Sequence, residues 1–255
     1  MTPISAVIIS RNEEKNIARC IKSLEGIADE IIVVDSESTD KTAEICQSMG
    51  CRVVSRPFSG FGAQRQFATS LATNRYILSI DADEVLSPAL RNSLINLKEK
   101  GLDHRVYRFS RMNFYCERPI LHCGWYPDLQ IRLFDKSYAT WDLRDVFEKV
   151  IFPDSLQPRD VEGDILHYRC ITSDEYHEKM MSHALIGANV IAATNSSVGP
   201  LTPTIKGLKS WLHYYIGKGG ILDGAEGRAI CREEYLATKK AYKTARQIIK
   251  DRKGK

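Results

Sequence analysis

Four short apolar runs alternate with amphipathic stretches in the first hundred residues, and this rhythm constrains the fold more than any other feature of the sequence. The runs are rich in β-branched residues, as buried strands are, and lie at residues 5–10, 30–35, 51–55 and 76–81. The other stretches carry apolar residues at helical spacing, at residues 16–24, 42–49, 64–72 and 88–98. The alternation predicts an α/β fold with a mostly parallel central sheet flanked by helices.

Three of the predicted strands end in polar residues, at the edge where parallel sheets bind ligands. The first run ends at Ser10 and the second at Asp35, whereas the fourth ends in the acidic cluster Asp81, Asp83 and Glu84. Carboxylate oxygens suit divalent cations, and Mg²⁺ is usually bound by one or two of them together with substrate phosphates. Acidic turns are common, so it is the position after a strand that favours a metal site.

The pattern changes beyond residue 104. Strand-like runs at residues 105–110 and 129–134 are mixed with aromatic residues, and they predict additional, partly antiparallel β structure up to about residue 152. A long helical pattern follows at residues 175–193. We therefore expect the parallel sheet to be extended by antiparallel strands before the chain becomes helical.

Charge is distributed unevenly along the chain. The formal net charge is +4, yet residues 205–255 carry 13 basic and only 5 acidic side chains, so the remainder is slightly acidic. We expect one domain over residues 1–194, a proline-containing linker over residues 195–204 and a basic, amphipathic, helical extension over residues 205–255.

The basic extension predicts an anionic partner. Its aromatic and basic residues, such as Trp211, Tyr214 and Lys218, suit a membrane interface, and we expect peripheral association with an anionic membrane surface. Two alternatives stay open at this point. The aromatic face packs on the first domain or on a second subunit, or the charges form a solvated helix face.

Composition excludes several classes of protein. A chain with 43% apolar and 27% charged residues is neither disordered nor of low complexity. No run approaches 18 apolar residues, so we expect no membrane-spanning helix, and the first residues lack the basic region of a signal peptide. The seven cysteines are odd in number and have no Cys-x-x-Cys spacing, which predicts reduced thiols and a cytoplasmic protein. Together with the basic extension, this predicts a location at the cytoplasmic face of the inner membrane.

Five motifs converge on one family. They are VIISRNEE at residues 7–14, IIVVDSESTDKT at 31–42, SGFGAQRQFA at 59–68, LSIDADE at 78–84 and CGWYPDLQIRLF at 123–134. Their order and spacing resemble the nucleotide-diphosphate-sugar glycosyltransferases of family 2, which have the Rossmann-like GT-A fold. The last motif resembles a subgroup that includes lipopolysaccharide-core β-1,4-glucosyltransferases. The resemblance covers roughly residues 4–240.

The resemblance implies an inverting enzyme that moves a hexose, with glucose expected, from a UDP-sugar to a glycan or lipid-linked acceptor of cell-envelope polysaccharide or lipopolysaccharide core. The residues implied to bind the nucleotide-sugar are Ser10, Asn12, Glu13, Asp35, Gln64, Arg65 and Asp81. Asp83 is implied to hold Mg²⁺ or Mn²⁺ against the diphosphate, with His167 as a further candidate ligand. Glu84, Trp125 and Tyr126 are candidates for contact with the sugar or acceptor, and core packing is the alternative for the two aromatic residues.

The general base has two candidates. An inverting displacement needs a carboxylate within hydrogen-bond reach of the acceptor hydroxyl, and Glu148 and Asp128 both qualify. Related sequences read Val-His-Glu where this chain has Phe147 before Glu148, so Glu148 matches the family's glutamate and is preferred. The structural alternative is that Asp128 caps a turn and Glu148 forms an ion pair. Two further departures are Glu37, where glycine is usual, and Gln66, where asparagine is usual.

Two other classes of function compete with this interpretation. A sugar-1-phosphate nucleotidyltransferase shares the architecture but needs a glycine-rich, basic loop after the first strand, where residues 10–14 are instead SRNEE. A non-catalytic module that binds nucleic acid or a membrane through the basic extension leaves the carboxylates at three strand ends unexplained. A non-catalytic protein that binds a nucleotide-sugar is a further alternative, and the retained Asp35, Asp81 and Asp83 argue against it. We expect no nucleic-acid partner.

Overall fold

The computed structural model describes residues 1–144, 148–170, 172–195 and 197–253. The strands are β1 (Ile4–Ser10), β2 (Glu30–Asp35), β3 (Arg52–Ser55), β4 (Tyr76–Asp81), β5 (Glu84–Leu86), β6 (Val106–Tyr115), β7 (Arg118–Pro119), β8 (Asp128–Asp135), β9 (Thr140–Trp141), β10 (Val150–Ile151) and β11 (Arg159–Cys170). The α-helices are α1 (Ile17–Ser23), α2 (Thr42–Ser48), α3 (Phe61–Leu71), α4 (Pro88–Lys100), α5 (Ser173–Thr194), α6 (Thr202–Leu212) and α7 (Gly224–Lys253).

The chain divides into two compact units. Unit 1 contains Met1–Arg111 and Asp128–His167, and unit 2 contains Met112–Pro127 and Tyr168–Lys255. The predicted division into residues 1–194, 195–204 and 205–255 stays a prediction. Helix α5, from the first of these ranges, packs on helix α7, from the last, through small residues, with Ala188 and Ala192 against Ala245. Helix α6 begins inside the predicted linker, with Pro203 in its first turn. Proline is tolerated there because the N–H groups of the first turn have no partner within the helix.

The predicted parallel sheet forms the centre of unit 1. Strand β1 pairs in parallel with β2 and with β4, and β3 extends the sheet beyond β2. Alternate residues of each strand enter two different apolar clusters, so that Ile8 faces one cluster and Val7 the other. Helices α1 and α4 cover the first side and helix α3 the second, which explains why both faces of the strands are apolar.

Antiparallel strands complete the sheet, as the changed pattern beyond residue 104 predicts. The strand order is β3-β2-β1-β4-β8-β6-β11-β5, and β8 runs antiparallel to both of its neighbours. Strands β5 and β11 are not recognisable in the sequence. In β11 the apolar alternation is interrupted at Gly163, whose φ is +101° and where a Cβ atom would stand 2.2 Å from the backbone nitrogen of Leu90.

Unit 2 is mainly helical, and the predicted C-terminal helices are present. A π-helical turn, His213–Gly217, and a 3₁₀ turn, Gly220–Asp223, connect α6 to the 30-residue helix α7. Helix α6 packs closely on α7, because a Cβ atom at Gly207 would stand 2.9 Å from the ring of Tyr235. Among the described residues, no helix combines the length and apolar character that crossing a membrane requires.

Candidate active site

Three carboxyl ends of parallel strands lie side by side in unit 1. The register of β1 and β2 pairs Ser10 with Asp35, and the register of β1 and β4 pairs Ile9 with Asp81. The polar residues that follow these strands in the sequence are therefore neighbours at one edge of the sheet. That edge is where open parallel sheets bind ligands.

Asp35 is buried and organises the loop that follows its own strand. Its Oδ1 accepts hydrogen bonds from the hydroxyls of Ser10, at 3.0 Å, and Ser38, at 2.6 Å, and its Oδ2 accepts one from the Ser38 N–H at 2.8 Å. The side chain of Gln64, also buried, donates to the hydroxyl of Ser36 at 3.0 Å. These contacts join the predicted pocket residues Ser10 and Asp35 directly, and they attach Gln64 to the residue that follows Asp35 in the chain.

Asn12 and Glu13 join the loops that follow β1 and β2. The Asn12 amide oxygen accepts a hydrogen bond from the Thr39 N–H at 2.8 Å, and the Glu13 N–H donates to the hydroxyl of Thr42 at 2.7 Å. Asn12 has a φ of +54°, a left-handed conformation that asparagine tolerates better than most residues. The two predicted pocket residues thus shape the edge of the sheet beside Asp35.

An arginine–carboxylate cluster lies next to this edge; its members are Arg65, Asp81, Glu84, Arg111, Asp128, Arg132 and Glu148. Asp81 forms ion pairs with two arginines, Arg65 at 2.5 Å and Arg132 at 2.9 Å. Glu84 is fully buried, and its Oε1 accepts hydrogen bonds from Arg132 at 2.8 Å and Arg111 at 3.0 Å. Its Oε2 accepts a further bond from the Asp81 N–H at 3.0 Å, which closes the turn between β4 and β5.

The two candidate bases, Asp128 and Glu148, differ in the hydrogen bonds that their carboxylate oxygens accept. Arg111 binds Oδ2 of Asp128 through Nε at 2.8 Å and Nη2 at 2.6 Å, and Gln130 donates to Oδ1 at 2.6 Å. Glu148 accepts a hydrogen bond on Oε1 from Nε of Arg65 at 2.8 Å. Both oxygens of Asp128 are therefore engaged by side chains, whereas the bond shown for Glu148 is to one oxygen. Phe147, which departs from the related pattern, lies outside the described residues.

The arginines determine the charge of Asp81. Burial alone would raise the pKa of this carboxyl, but Arg132, Arg65 and Arg111 together hold it well below its ordinary value. Burial likewise favours the neutral form of Arg132, and Asp81 and Glu84 reverse that effect and raise its pKa. Asp81 is therefore an anion throughout the neutral range, and its lowered pKa makes it a weak proton acceptor, which disfavours it as the general base.

Some arginine nitrogens in the cluster are buried and unsatisfied. Within the described part of the chain, Nη1 of Arg65 and both Nε and Nη1 of Arg132 have no hydrogen-bond partner. A buried donor without an acceptor costs free energy, and a guanidinium in this state is suited to bind phosphate oxygens. The cluster thus contains guanidinium nitrogens whose hydrogen-bonding capacity is not used by the described residues.

Asp83 and His167 form the pair that the sequence suggested as metal ligands. Strand β11 pairs with β5 so that His167 lies opposite Glu84, and this register brings its Nε2 to 3.3 Å from Oδ2 of Asp83. In the residues the structure describes, no three His, Cys, Asp or Glu side chains form a group that could hold a metal ion. The pair fits a cation that takes its other ligands from a diphosphate and water, as Mg²⁺ commonly does.

The comparison with known families agrees with this geometry. Residues 5–145, more than half of the chain, match the family described as Glycosyl transferase family 2. The chain belongs to glycosyl transferase family 2. Its observed sheet, with a parallel core and antiparallel additions, has the α/β class expected for the GT-A fold of that family.

Several relatives of this family 2 glycosyltransferase are known. It is 32% identical over 197 residues to the lipopolysaccharide core biosynthesis glycosyltransferase LpsC of Rhizobium meliloti, which covers 73% of this chain and 71% of that protein. It is 50% identical over 94 residues to an uncharacterised glycosyltransferase of Rickettsia felis, covering 37% of this chain. The matched part spans about a third of the rickettsial relatives, for example 33% of the Rickettsia felis protein.

A solved structure also resembles part of the glycosyltransferase. It is glucosyl-3-phosphoglycerate synthase from Mycobacterium tuberculosis in complex with Mn²⁺, UDP and glucosyl-3-phosphoglycerate. The two chains are 28% identical, with a TM-score of 0.36, and the match covers 45% of this chain and 44% of the other.

Trp125 and Tyr126 of the glycosyltransferase lie in unit 2. Trp125 is only 7% exposed, and its ring packs against Tyr176, 5.8 Å between centroids, and under the guanidinium of Arg169 at 5.0 Å. This is the core-packing alternative, so the contact of Trp125 with a sugar stays a prediction. Tyr126 is half-buried and precedes Pro127 through a cis peptide bond.

Sequence reasoning assigned no role to two members of the cluster, Arg111 and Arg132. Arg132 lies in the motif at residues 123–134, at an even spacing from Asp128 and Gln130, and in a regular strand this spacing would place the three side chains on one face. That alternation of charged and polar residues in a strand next to β4 is a signal that could have identified Arg132. Arg111 follows the predicted end of its strand and has no such signal.

Proposed function

We propose that the protein is an inverting, metal-dependent glycosyltransferase that moves a hexose from a UDP-sugar to a glycan or lipid-linked acceptor. We propose glucose as the hexose. The arginine–carboxylate cluster is the observation that carries the proposal. It combines buried, unsatisfied guanidinium nitrogens with anionic Asp81 at the ligand-binding edge of the sheet. Such a site suits a ligand that has both a diphosphate and hydroxyl groups.

The reaction follows from the charges involved. The acceptor oxygen forms a bond to the anomeric carbon while the bond from that carbon to the phosphate oxygen breaks, and its electrons remain on UDP. Arg65 and Arg132 are suited to stabilise this negative charge, because they are fixed in place by ion pairs before the reaction begins. Attack from the face opposite the leaving group inverts the configuration.

We assign the general base to Glu148. The base must accept the proton of the acceptor hydroxyl, so it needs an oxygen that other donors do not occupy. Both oxygens of Asp128 accept hydrogen bonds from Arg111 or Gln130, which disfavours it. Asp128 then positions Arg111 and, through it, Glu84.

Asp83 and His167 are the residues that would hold Mg²⁺ or Mn²⁺, which as a Lewis acid would stabilise the charge that develops on the diphosphate. Their separation of 3.3 Å leaves them able to contact one ion together. Asp81 has a different role, because its two oxygens are paired with arginines; it holds those arginines where the donor phosphates bind.

The acceptor class is supported by the relative with the widest match. LpsC is named for lipopolysaccharide core biosynthesis, and the match covers most of both chains. We therefore propose a cell-envelope polysaccharide or lipopolysaccharide core acceptor, and a cytoplasmic enzyme that acts at the inner face of the membrane.

Donor hydrolysis tests this proposal without knowledge of the acceptor. Purified protein is incubated with a panel of nucleotide-sugars and Mg²⁺, Mn²⁺ or EDTA, and release of free nucleotide is measured. We expect turnover of one UDP-hexose that requires the metal and is lost in Asp83→Asn. The exposed Asp154→Asn is the matched control and should match wild type.

Three outcomes would contradict the proposal in different ways. Full turnover in EDTA would show that the reaction needs no metal. Unchanged turnover in Asp83→Asn would show that Asp83 is not a metal ligand. Donor binding without hydrolysis, or without transfer to any lipopolysaccharide-derived acceptor, would favour a non-catalytic nucleotide-sugar-binding module.

A second experiment compares the two candidate bases through the variants Glu148→Gln and Asp128→Asn. We expect the larger loss of kcat in Glu148→Gln.

A further inference from the structure

The stretch from residue 179 to residue 222 contains no aspartate or glutamate. It contains four lysines, Lys179, Lys206, Lys209 and Lys218. In the described part of the chain, more than half of the large apolar side chains that are strongly exposed also lie between residues 185 and 222. This part of unit 2 therefore combines positive charge with exposed apolar surface.

Helix α6 and the π-helical turn after it carry an ordered part of that surface, which we name the α6 stripe. Its members recur every three or four residues, so they share one side of the helix, and they are between 48% and 70% exposed; they are Leu201, Ile205, Leu208, Leu212 and Ile216. Pro203 and Gly207 are buried, and Gly207 lies against Tyr235 of α7. Helix α6 thus packs through its small residues and exposes its large ones.

Aromatic and basic residues adjoin the α6 stripe. Trp211 and Tyr215, each next to a stripe residue in the chain, stack with their ring centroids 4.7 Å apart and are half-buried. Lys206 and Lys209 are exposed on the same helix, and exposed Lys218 follows the π-helical turn. Tryptophan and tyrosine favour the boundary between lipid and water, and lysine favours anionic headgroups.

We propose that the α6 stripe docks on the surface of an anionic lipid bilayer. The stripe side chains enter the boundary between headgroups and acyl chains, with the helix parallel to the membrane plane, and the three lysines contact lipid phosphates. The described residues include no helix that could span a bilayer, so this is an interfacial attachment. The inference rests on unit 2 alone and does not depend on the proposed reaction.

Charge favours a bilayer over a second copy of the chain as the occupant. A two-fold contact centred on the α6 stripe would bring the same surface of both copies together. Lys206, Lys209 and Lys218 of each copy would then approach those of the other, with no carboxylate from residues 179–222 to neutralise them. An anionic membrane supplies the missing negative charge.

Vesicle flotation of the full chain tests the proposal in the absence of any donor sugar. We expect binding to vesicles of mixed phosphatidylcholine and phosphatidylglycerol, weaker binding in high salt and weak binding to phosphatidylcholine alone. Leu208→Glu with Leu212→Glu should weaken the partition at least tenfold, because two apolar anchors are lost and two like charges face the lipid. Lys206→Gln with Lys209→Gln should weaken it about fivefold for each lysine.

Matched variants make the result interpretable. Ile151→Glu, at an exposed apolar position in unit 1, should bind vesicles as wild type does. If the double glutamate variant has an altered melting temperature, Leu208→Gln with Leu212→Gln replaces it. Absence of wild-type binding to anionic vesicles, or equal binding by the α6 variants, would overturn the proposal. Light scattering that shows a wild-type dimer dissociated by the same variants, in protein that does not bind vesicles, would assign the stripe to self-association instead.

Discussion

Arg132 is a buried side chain that ties two strands of the candidate site together. Its guanidinium is 3% exposed and bridges Asp81 on β4 and Glu84 on β5. Removal of the arginine leaves Asp81 with Arg65 and Glu84 with Arg111, but it takes away the positive charge that lies between the two carboxylates, which then repel each other. Breaking a buried ion pair from one side usually costs several kcal/mol.

The first prediction is that Arg132→Gln lowers the free energy of unfolding by about 3 kcal/mol. The midpoint of urea denaturation measures it. Arg108→Gln is the matched control, because Arg108 forms an exposed ion pair with Asp160 and should contribute less than about 1 kcal/mol. Equal effects of the two substitutions would show that the buried bridge adds no stability of its own.

The second prediction concerns acid stability and Asp81. Its pKa is lower in the folded protein than the ordinary value of about 3.9 for an aspartate, so the unfolded chain binds the proton more readily. The stability that results is fully present above pH 4 or so and is lost as the pH falls below that value. Urea midpoints across this range should fall more steeply in wild type than in Asp81→Asn. Parallel curves would contradict the assignment.

The third prediction concerns Glu37, which stands where glycine is usual in the family pattern. Glu37 is exposed and has a φ of +56°, a left-handed conformation that is unfavourable for a residue with a Cβ atom and that glycine adopts freely. We expect Glu37→Gly to raise the free energy of unfolding by about 1 kcal/mol. Thermal unfolding measures this change. Glu37→Ala retains the strain, so it should not stabilise the protein.

Among the elements, helix α3 depends on one close approach of backbone to backbone. A Cβ atom at Gly62 would stand 2.1 Å from the carbonyl oxygen of Asp142, and the Gly62 N–H already donates to the carbonyl of Arg144 at 3.2 Å. Arg65 lies on the same helix, one turn further along. The position of this arginine in the cluster therefore depends on the absence of a side chain at residue 62.

The fourth prediction follows from that approach. Gly62→Ala should lower the free energy of unfolding by about 2 kcal/mol, since overpacking forces a backbone shift, and should reduce donor turnover. Gly187→Ala in helix α5 is the control, because its Cβ atom would meet Ala241 at an ordinary 3.9 Å. That control should stabilise the protein by roughly 0.5–1 kcal/mol through helix propensity. If Gly62→Ala left the free energy of unfolding unchanged, the backbone at residues 142–144 would be able to move away from the new Cβ atom at little cost.

Element boundaries show which signals the sequence carries. Strands β1, β2 and β4 and the helices of unit 1 follow the predicted runs closely, because burial on both faces requires uninterrupted apolar residues. Strands β5 and β11 escaped prediction because they pair antiparallel with each other through residues that include charged Glu84 and polar His167. Their pairing depends on the partner strand, not on local pattern.

At the scale of the whole molecule, a bound donor should stabilise the folded state. The fifth prediction is that UDP with Mn²⁺ raises the melting temperature, since a ligand at 100 times its Kd contributes about 2.7 kcal/mol. Arg65→Gln should abolish most of this increase, because the unsatisfied guanidinium nitrogen of Arg65 is a proposed phosphate contact. Asp154→Asn should behave as wild type. An equal increase in all three proteins would place the nucleotide elsewhere.

The sequence by itself determined the α/β class and the family, through motifs that follow the parallel strands in a fixed order along the chain. It also determined which acidic residues lie at the strand ends. These follow from local signals, namely apolar periodicity and the residues at which each run stops. Tertiary structure alone decided which charges meet. Arg65, Arg111 and Arg132 are far apart in the chain. The pairing of β8 with β4 and β6 brings Arg132 and Arg111 to Asp81 and Glu84, and the packing of helix α3 brings Arg65 to Asp81. Charge pairing across a sheet depends on long-range register, and a local pattern does not encode it.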